Sequence, residues 1–153
     1  QVEVTESAFV QDMGKAKAIL DELRSKGVTG AIDDFGTGYS SLSYLNLLPL
    51  NKVKIDRSFV SNITEDQRTF KLLKGVVHLS RELGLEIVVE GVETEDQLEM
   101  IRSTNSADLI QGFIFGMPMP TSGICELTSS SMSAKERIRT MNNKPATQKR
   151  AAD

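Results

Sequence analysis

Residues 30–38 read Gly-Ala-Ile-Asp-Asp-Phe-Gly-Thr-Gly, the stretch of this sequence that is most informative about its fold. The apolar Ala31 and Ile32 lead directly into two acids, Asp33 and Asp34, after which glycines mark a loop. We expect a short β-strand that ends where the acids begin. Paired carboxylates at a strand end can bind hard divalent cations, which prefer oxygen ligands. The alternative is that one acid caps the next turn and the other is solvated.

Strand-like and helix-like segments alternate on both sides of this stretch. Apolar or β-branched runs predict strands near residues 2–5, 29–33, 52–56, 86–90 and 109–115. Helical spacing predicts helices over 14–26, 65–83 and, in a shorter form, Ser41 to Leu47. Helix starts are indicated by two capping-box patterns, Thr64 with Gln67 and Thr94 with Gln97. This alternation predicts an α/β fold built of βαβ units around a parallel sheet.

Composition narrows the class of protein. The 153 residues suffice for one domain, and 18 Lys and Arg against 21 Asp and Glu leave no basic stripe for a nucleic-acid polymer. No apolar run approaches the length of a membrane span. The single Cys125 excludes an internal disulfide and fits a reducing compartment, so we expect a cytoplasmic protein. Residues 129–153 are polar and are predicted to form a largely disordered tail.

Polar side chains recur at the carboxyl ends of the predicted strands, where ligands bind in sheets of this kind. They are Glu3, Asp33, Asp34, Lys54, Glu90, Glu93 and Gln111. Their convergence predicts a metal-dependent site. Lys54 must find acids or water, because an isolated buried charge is costly; it can steady a developing phosphate charge, or it can form a purely structural ion pair. Glu90 is a candidate ligand or base, whereas Glu93 supports the loop, caps the following helix or is solvated.

Together these residues resemble the EAL family of cyclic di-GMP phosphodiesterases. Five motifs carry the resemblance, in order and spacing: Glu3-Val4-Thr5-Glu6, Asp33 to Ser41, Val53-Lys54-Ile55-Asp56, Glu90 to Glu95, and Gln111-Gly112-Phe113 leading to Pro118 and Pro120. The resemblance covers residue 1 to about residue 120. It implies a TIM-like (β/α) barrel, of which this chain supplies about five C-terminal parallel strands with intervening helices. It also implies two Mg²⁺ or Mn²⁺ ions that hydrolyse cyclic di-GMP to the linear dinucleotide.

The resemblance implies a role for each matching residue. Glu3 and Asp33 are expected to be metal ligands, and Asp34 a ligand to the second ion. Lys54 is expected to position the attacking water, with Glu90 as a further metal-site or base residue. The remaining implied roles are contact with water or phosphate for Gln111 and support of the glycine-containing loop for Glu6, Glu93, Gly36 and Gly38. The same loop, residues 35–41, is implied to form a homodimer.

Two family features are missing from this sequence. The Glu-Ala-Leu strand and an Asn ligand would both lie before residue 1, and a TIM barrel typically needs about 250 residues. We therefore expect residues 1–128 to be the C-terminal part of an EAL-type domain, with a sensor or regulatory domain upstream in the parent protein. The alternatives are a non-catalytic remnant that binds nucleotide or a protein partner, and a decayed fragment that does not fold stably alone.

Overall fold

The structure is a computed structural model that describes residues 1–5, 8, 12–37, 42–103, 107–121, 123 and 124. Glu6, Gly38 and the predicted tail at 129–153 lie outside the described residues. The chain divides into two compact units, Gln1–Gln111 and Gly112–Asp153, and the strands and helices described next belong to the first.

Five strands form one sheet in the order β1-β2-β3-β4-β5, and every neighbouring pair is parallel. The strands are β1 (Val2–Thr5), β2 (Gly30–Phe35), β3 (Lys52–Ile55), β4 (Glu86–Val89) and β5 (Leu109–Ile110). Between them lie α1 (Met13–Ser25), α2 (Leu42–Leu47), a 3-10 turn (Arg57–Phe59), α3 (Gln67–Glu82) and α4 (Glu95–Ser103). Because sequential strands are neighbours in the sheet, their carboxyl ends meet at one edge, as the alternating pattern predicts.

The buried side chains of β3 lie on one face of the sheet, although Ala31 of β2 and Val88 of β4 are buried on the other face. In β3, Val53 and Ile55 are fully buried, whereas Lys54 between them points to the opposite face and keeps some exposure. Leu73 and Val77 of α3 are also buried. The apolar side of the sheet is thereby closed by helices, and the polar residues of the strand ends are left on the other side.

Of the two predicted capping boxes, one is present and the other is not. The Thr94–Gln97 capping box is present, since the Thr94 hydroxyl accepts from the Gln97 N–H at 3.2 Å and the Gln97 side chain accepts from the Thr94 N–H at 3.1 Å. The box predicted from Thr64 is wrong. Helix α3 begins later, at Gln67, and its cap is Asp66, whose carboxylate accepts from the Arg68 N–H at 2.8 Å. A carboxylate one residue before the helix is the better placed acceptor.

Two strand predictions also need correction. Strand β2 does not end at the acids but runs through both of them to Phe35. Strand β5 stops at Ile110, and the predicted continuation to residue 115 is instead a pair of tight turns within the second unit. In these turns the N–H groups of Phe115 and Gly116 donate to the carbonyls of Gly112 and Phe113, at 3.1 and 3.2 Å.

Candidate metal centre

A β-bulge brings two adjacent acids together. Neighbouring side chains of a regular strand point to opposite faces, but the pairing of β2 with β3 shifts register between Ile32 and Phe35. Within that shift Asp34 has φ 53, in the left-handed region that Asp enters more readily than most residues. Bulges of this kind re-aim side chains. As a result, Asp33, Asp34 and Glu90 each offer a carboxylate oxygen within 4.8 Å of the others.

Glu90 reaches this cluster from the next-but-one strand. It directly follows β4, and its N–H donates to the Ile55 carbonyl at the end of β3 at 3.0 Å. Its side chain is 16% exposed. The backbone bond therefore ties the position of Glu90 to the strand that carries Lys54.

Lys54 is the cation at the centre of the acids. Its Nζ lies 2.7 Å from Asp33 Oδ1, 3.0 Å from Glu90 Oε1 and 3.0 Å from Glu3 Oε2. An ammonium has three N–H donors, and three carboxylates are within reach of it. Burial lowers the pKa of Lys54, but the hydrogen bonds to Asp33, Glu90 and Glu3 outweigh that effect, so its pKa is raised above the ordinary lysine value. Lys54 therefore stays charged across the physiological pH range.

Glu3 joins the site from β1, on the far side of β2 from Lys54. It faces the same side of the sheet as Lys54, as its alternation with Val2 and Val4 predicts. Its side chain is 44% exposed, which makes it the most open of the acids that contact Lys54. Lys54 thus connects acids from β1, β2 and the end of β4.

The charge of this group suits a divalent cation. The group contains four carboxylates, three of them in contact with the Lys54 ammonium, so its formal charge is 1 − 4 = −3 when all are ionised; they are those of Glu3, Asp33, Asp34 and Glu90. Acids held this close repel one another unless a cation lies between them. Clustered carboxylate oxygens are the ligands that hard cations such as Mg²⁺ and Mn²⁺ prefer. The residues present therefore fit a divalent metal.

The other predicted residues lie around this cluster. Gln111 directly follows β5; its N–H donates to Val89 at 2.9 Å, its carbonyl accepts from Val92 at 3.2 Å, and its side chain is exposed. Glu93 is exposed, and its N–H donates to the Gln97 side chain at 2.8 Å. Gly36 has φ 104 and ends the acid strand. Glu6 and Gly38 remain predictions, because they lie outside the described residues.

Two contacts near the site have no counterpart in the sequence reasoning. Gln97 is buried and uses both ends of its amide, since it also donates to the Val60 carbonyl at 3.3 Å. Its capping-box spacing was the available signal, but that pattern gives no hint of the second bond. The 3-10 turn Arg57–Phe59 packs against the loops on both sides of β3. The sequence Asp56-Arg57-Ser58 is compatible with such a turn, but it does not reveal the packing.

Comparison with known proteins assigns the family. The family model of the EAL domain matches residues 1–118. The chain belongs to the EAL domain family. Its five parallel strands and their helices are the corresponding part of a TIM-like barrel, and the predicted fold class is confirmed.

Relatives of this EAL chain include named phosphodiesterases. The cyclic di-GMP phosphodiesterase NbdA of Pseudomonas aeruginosa is 40% identical over 143 residues, which are 93% of this chain and 18% of that protein. The PaMucR phosphodiesterase in complex with c-di-GMP is 45% identical with a TM-score of 0.72, over 80% of this chain and 49% of that one. The manganese and cyclic di-GMP complex of BlrP1 from Klebsiella pneumoniae is 36% identical with a TM-score of 0.71, over 76% of this chain and 29% of that one.

The EAL chain therefore spans less than a fifth of the length of NbdA. Solved relatives hold manganese or calcium together with cyclic di-GMP. In the part of this chain that the structure describes, none of the helices has the length and apolar character needed to cross a bilayer.

Proposed function

We propose that this chain carries the greater part of the metal-binding wall of a cyclic di-GMP phosphodiesterase, which hydrolyses the cyclic dinucleotide to its linear form. The observation that supports this most strongly is the cluster of Asp33, Asp34 and Glu90 at the carboxyl ends of the strands, with Lys54 paired to two of these acids. The EAL relatives that are named as phosphodiesterases, and those solved with cyclic di-GMP, support the choice of substrate.

The proposed metals are Mg²⁺ or Mn²⁺, held by Asp33, Asp34 and Glu3 with Glu90 as a further ligand or as a base. Ions bound there would polarise the phosphate and lower the pKa of a water, which is the chemistry that paired ions supply in phosphate-ester hydrolysis. The contribution of the protein's own residues is to bind and position these ions. They supply fixed negative charge at one place, on strand ends that neighbouring strands hold in register.

Lys54 is proposed to have a double role. With its three donors directed at acids, it keeps the acids together when they ligate no metal. If the acid oxygens served as metal ligands, N–H donors of Lys54 would be free to hold a water or a phosphate oxygen. An ammonium so placed stabilises the negative charge that develops on the phosphate.

The remaining proposals concern the protein that carries this chain. Residues 1–128 are proposed to be the C-terminal part of its EAL-type domain. The protein is proposed to be cytoplasmic and to carry a sensor or regulatory domain upstream of the EAL-type domain. Residues 35–41 are proposed to form a homodimer contact, and Gln111 to face the water or the phosphate. These proposals rest on the family and on the position of Gln111 at the end of β5.

Product analysis tests the proposed function. The protein is incubated with cyclic di-GMP and Mn²⁺ or Mg²⁺, and the nucleotides are separated by chromatography. We expect metal-dependent formation of the linear dinucleotide. A heat of binding in calorimetry without any product would favour the alternative, a non-catalytic binding module. If the protein showed no binding of cyclic di-GMP and formed no product, both the proposed function and the alternative would be contradicted.

A further inference from the structure

The 3-10 turn Arg57–Phe59 lies between the two backbone segments that carry the clustered acids. It follows β3, and Asp56 caps it by accepting from the Ser58 N–H at 2.9 Å. Just before the turn, the Asp56 N–H donates to the Phe35 carbonyl at 3.3 Å. Phe35 is the residue after Asp34, so the start of the turn is tied directly to the acid strand.

Two glycines allow the turn to approach both segments closely. Gly36, two residues after Asp34, has φ 104, and the Phe59 ring occupies the space of a Cβ there; ring atom Cζ is 2.7 Å from that position. Gly91, directly after Glu90, has φ 71, and Arg57 Cα lies 3.0 Å from its Cβ position. A left-handed backbone does not by itself bring neighbours this close. Gly84 also has a positive φ, 70, but no atom lies within 4 Å of its Cβ position.

Two buried residues, Val60 and Gln97, connect the turn to the loop that begins with Glu90. Val60, the next residue along the chain, is fully buried, and its carbonyl accepts from the Gln97 amide at 3.3 Å. The same amide accepts from the N–H groups of Glu93 and Thr94, in the loop that begins with Glu90. A shift of the turn would therefore disturb both segments that carry the clustered acids, the end of β2 and the loop that begins with Glu90.

We propose that the Arg57–Phe59 turn positions the metal centre, with Phe59 holding the bulged end of β2 that carries Asp33 and Asp34, and Arg57 holding the start of the Glu90 loop. This inference rests on the proposed function, since it treats the acid cluster as a metal site. Phe59 is a positioning residue: it has no ligand atom and acts through the backbone that it presses against.

The physical reason for such a device is repulsion among the acids. Carboxylates within 4.8 Å of one another repel. Lys54 offsets part of this repulsion, but the backbone segments that carry the acids must also keep their positions when an ion takes those oxygens. Metal affinity depends on ligand atoms that are already in place. A rigid turn wedged against both loops keeps the acids close before an ion arrives.

A Mn²⁺ titration followed by electron paramagnetic resonance, on the full chain, tests the proposal. Phe59→Ala removes the ring that contacts Gly36. Phe70→Ala is the matched control, because Phe70 is also a half-buried phenylalanine but lies on α3, where its ring contacts Lys74. We expect Phe59→Ala to weaken Mn²⁺ binding by about tenfold or more, the effect usual for residues that support metal ligands. Phe70→Ala should leave Mn²⁺ affinity unchanged.

Thermal unfolding of the same variants without metal separates positioning from general stability. The two alanine variants should lose comparable stability, and Phe59→Leu, which keeps part of the apolar contact, should recover part of the Mn²⁺ affinity. Phe59→Leu also serves as the test variant if Phe59→Ala does not fold. Wild-type Mn²⁺ affinity in folded Phe59→Ala or Phe59→Leu would overturn this inference but would leave the proposed function standing. A wild-type chain that binds no Mn²⁺ would overturn the proposed function together with it.

Discussion

Lys54 shows at the scale of a single residue how this site tolerates so much negative charge. Its side chain is only 13% exposed, and Asp33, Glu90 and Glu3 are within 3.0 Å of its Nζ. Removing one partner of a buried ion pair is strongly unfavourable, because the other charges stay behind without compensation. Lys54 and a divalent ion are therefore expected to compete for the same carboxylate oxygens.

Replacing Lys54 by Met should destabilise the metal-free protein and strengthen its response to metal. We expect a loss of about 1–3 kcal/mol in the free energy of unfolding, below the range for fully buried pairs because Glu3 is well exposed. Added Mn²⁺ should restore more stability to the variant than to the wild type. Urea denaturation with and without Mn²⁺ measures both effects.

Lys52→Met is the control for this experiment. Lys52 lies on the same strand and the same face but pairs with the single acid Glu86, at 2.9 Å. Equal losses in the Lys52 and Lys54 variants, with equal responses to Mn²⁺, would show that Lys54 has no special place among the acids.

Asp34 offers a second test, because its backbone conformation and its charge can be separated. With φ 53, it occupies a region that glycine adopts freely and alanine does not. We expect Asp34→Gly to be more stable than Asp34→Ala by about 1 kcal/mol, the usual cost of a left-handed conformation for a residue with a Cβ. Urea denaturation of the metal-free variants measures this difference. An alanine variant as stable as the glycine variant would show that β2 has no left-handed residue at this point.

The proximity of these side chains was more predictable than its detailed geometry. The strand-end rule predicted that Asp33, Lys54 and Glu90 would lie close together, and they do, because parallel strands bring their carboxyl ends to one edge. The bulge at Asp34 was not predictable, since a strand pattern read from one segment assumes regular alternation. Only the register against β3 reveals that both acids point to the same place.

At the scale of the elements, short connections set the geometry of the site. The 3-10 turn is three residues long, too short to leave a periodic signal, and its contacts with Gly36 and Gly91 join residues that are far apart in sequence. Helix α4 was predictable because its capping box is local. The start of α3 was not, because Thr64 and Asp66 both fit a cap and only the folded backbone selects one.

Gly91→Ala and Gly84→Ala form a matched pair that tests the close approach of the turn. The two glycines have φ 71 and 70, so both variants meet the same backbone penalty, but only a Cβ at residue 91 would collide with Arg57. We expect Gly91→Ala to be less stable than Gly84→Ala by about 1–3 kcal/mol, as for other overpacked sites. Urea denaturation of the two variants measures this. Equal stability would mean that the turn does not press against the Glu90 loop.

The cap of the 3-10 turn predicts a dependence on pH. Burial raises the pKa of Asp56, but hydrogen bonds from Ser58 and Arg57 outweigh it, so the pKa lies below the ordinary Asp value. A lowered pKa contributes stability above the unfolded value, near pH 4, and that contribution is lost as the pH falls through the folded value. Asp56→Asn should therefore be less stable than the wild type at pH 7, by up to about 1 kcal/mol, with a smaller gap at pH 3. A gap that is unchanged between the two pH values, measured by urea denaturation, would contradict this assignment.

At the scale of the whole molecule, the alternation of strands and helices was enough to predict a parallel sheet, and the sheet order confirms it. The fold class followed from pattern because each strand pairs with the next one along the chain. The length of the last strand did not, since residues 111–115 are apolar enough for a strand but turn after Ile110. Family membership, shown over residues 1–118, extends the same reasoning from the sheet to its proposed chemistry.

The rate of cyclic di-GMP hydrolysis in the protein that carries this chain tests the central claim most directly. We expect linear dinucleotide to form only with Mg²⁺ or Mn²⁺. Lys54→Met and Asp34→Asn should each slow the reaction by about 100-fold or more, while Lys52→Met keeps the wild-type rate. Hydrolysis that needs no divalent ion, or that continues at the wild-type rate without Lys54 and Asp34, would contradict it.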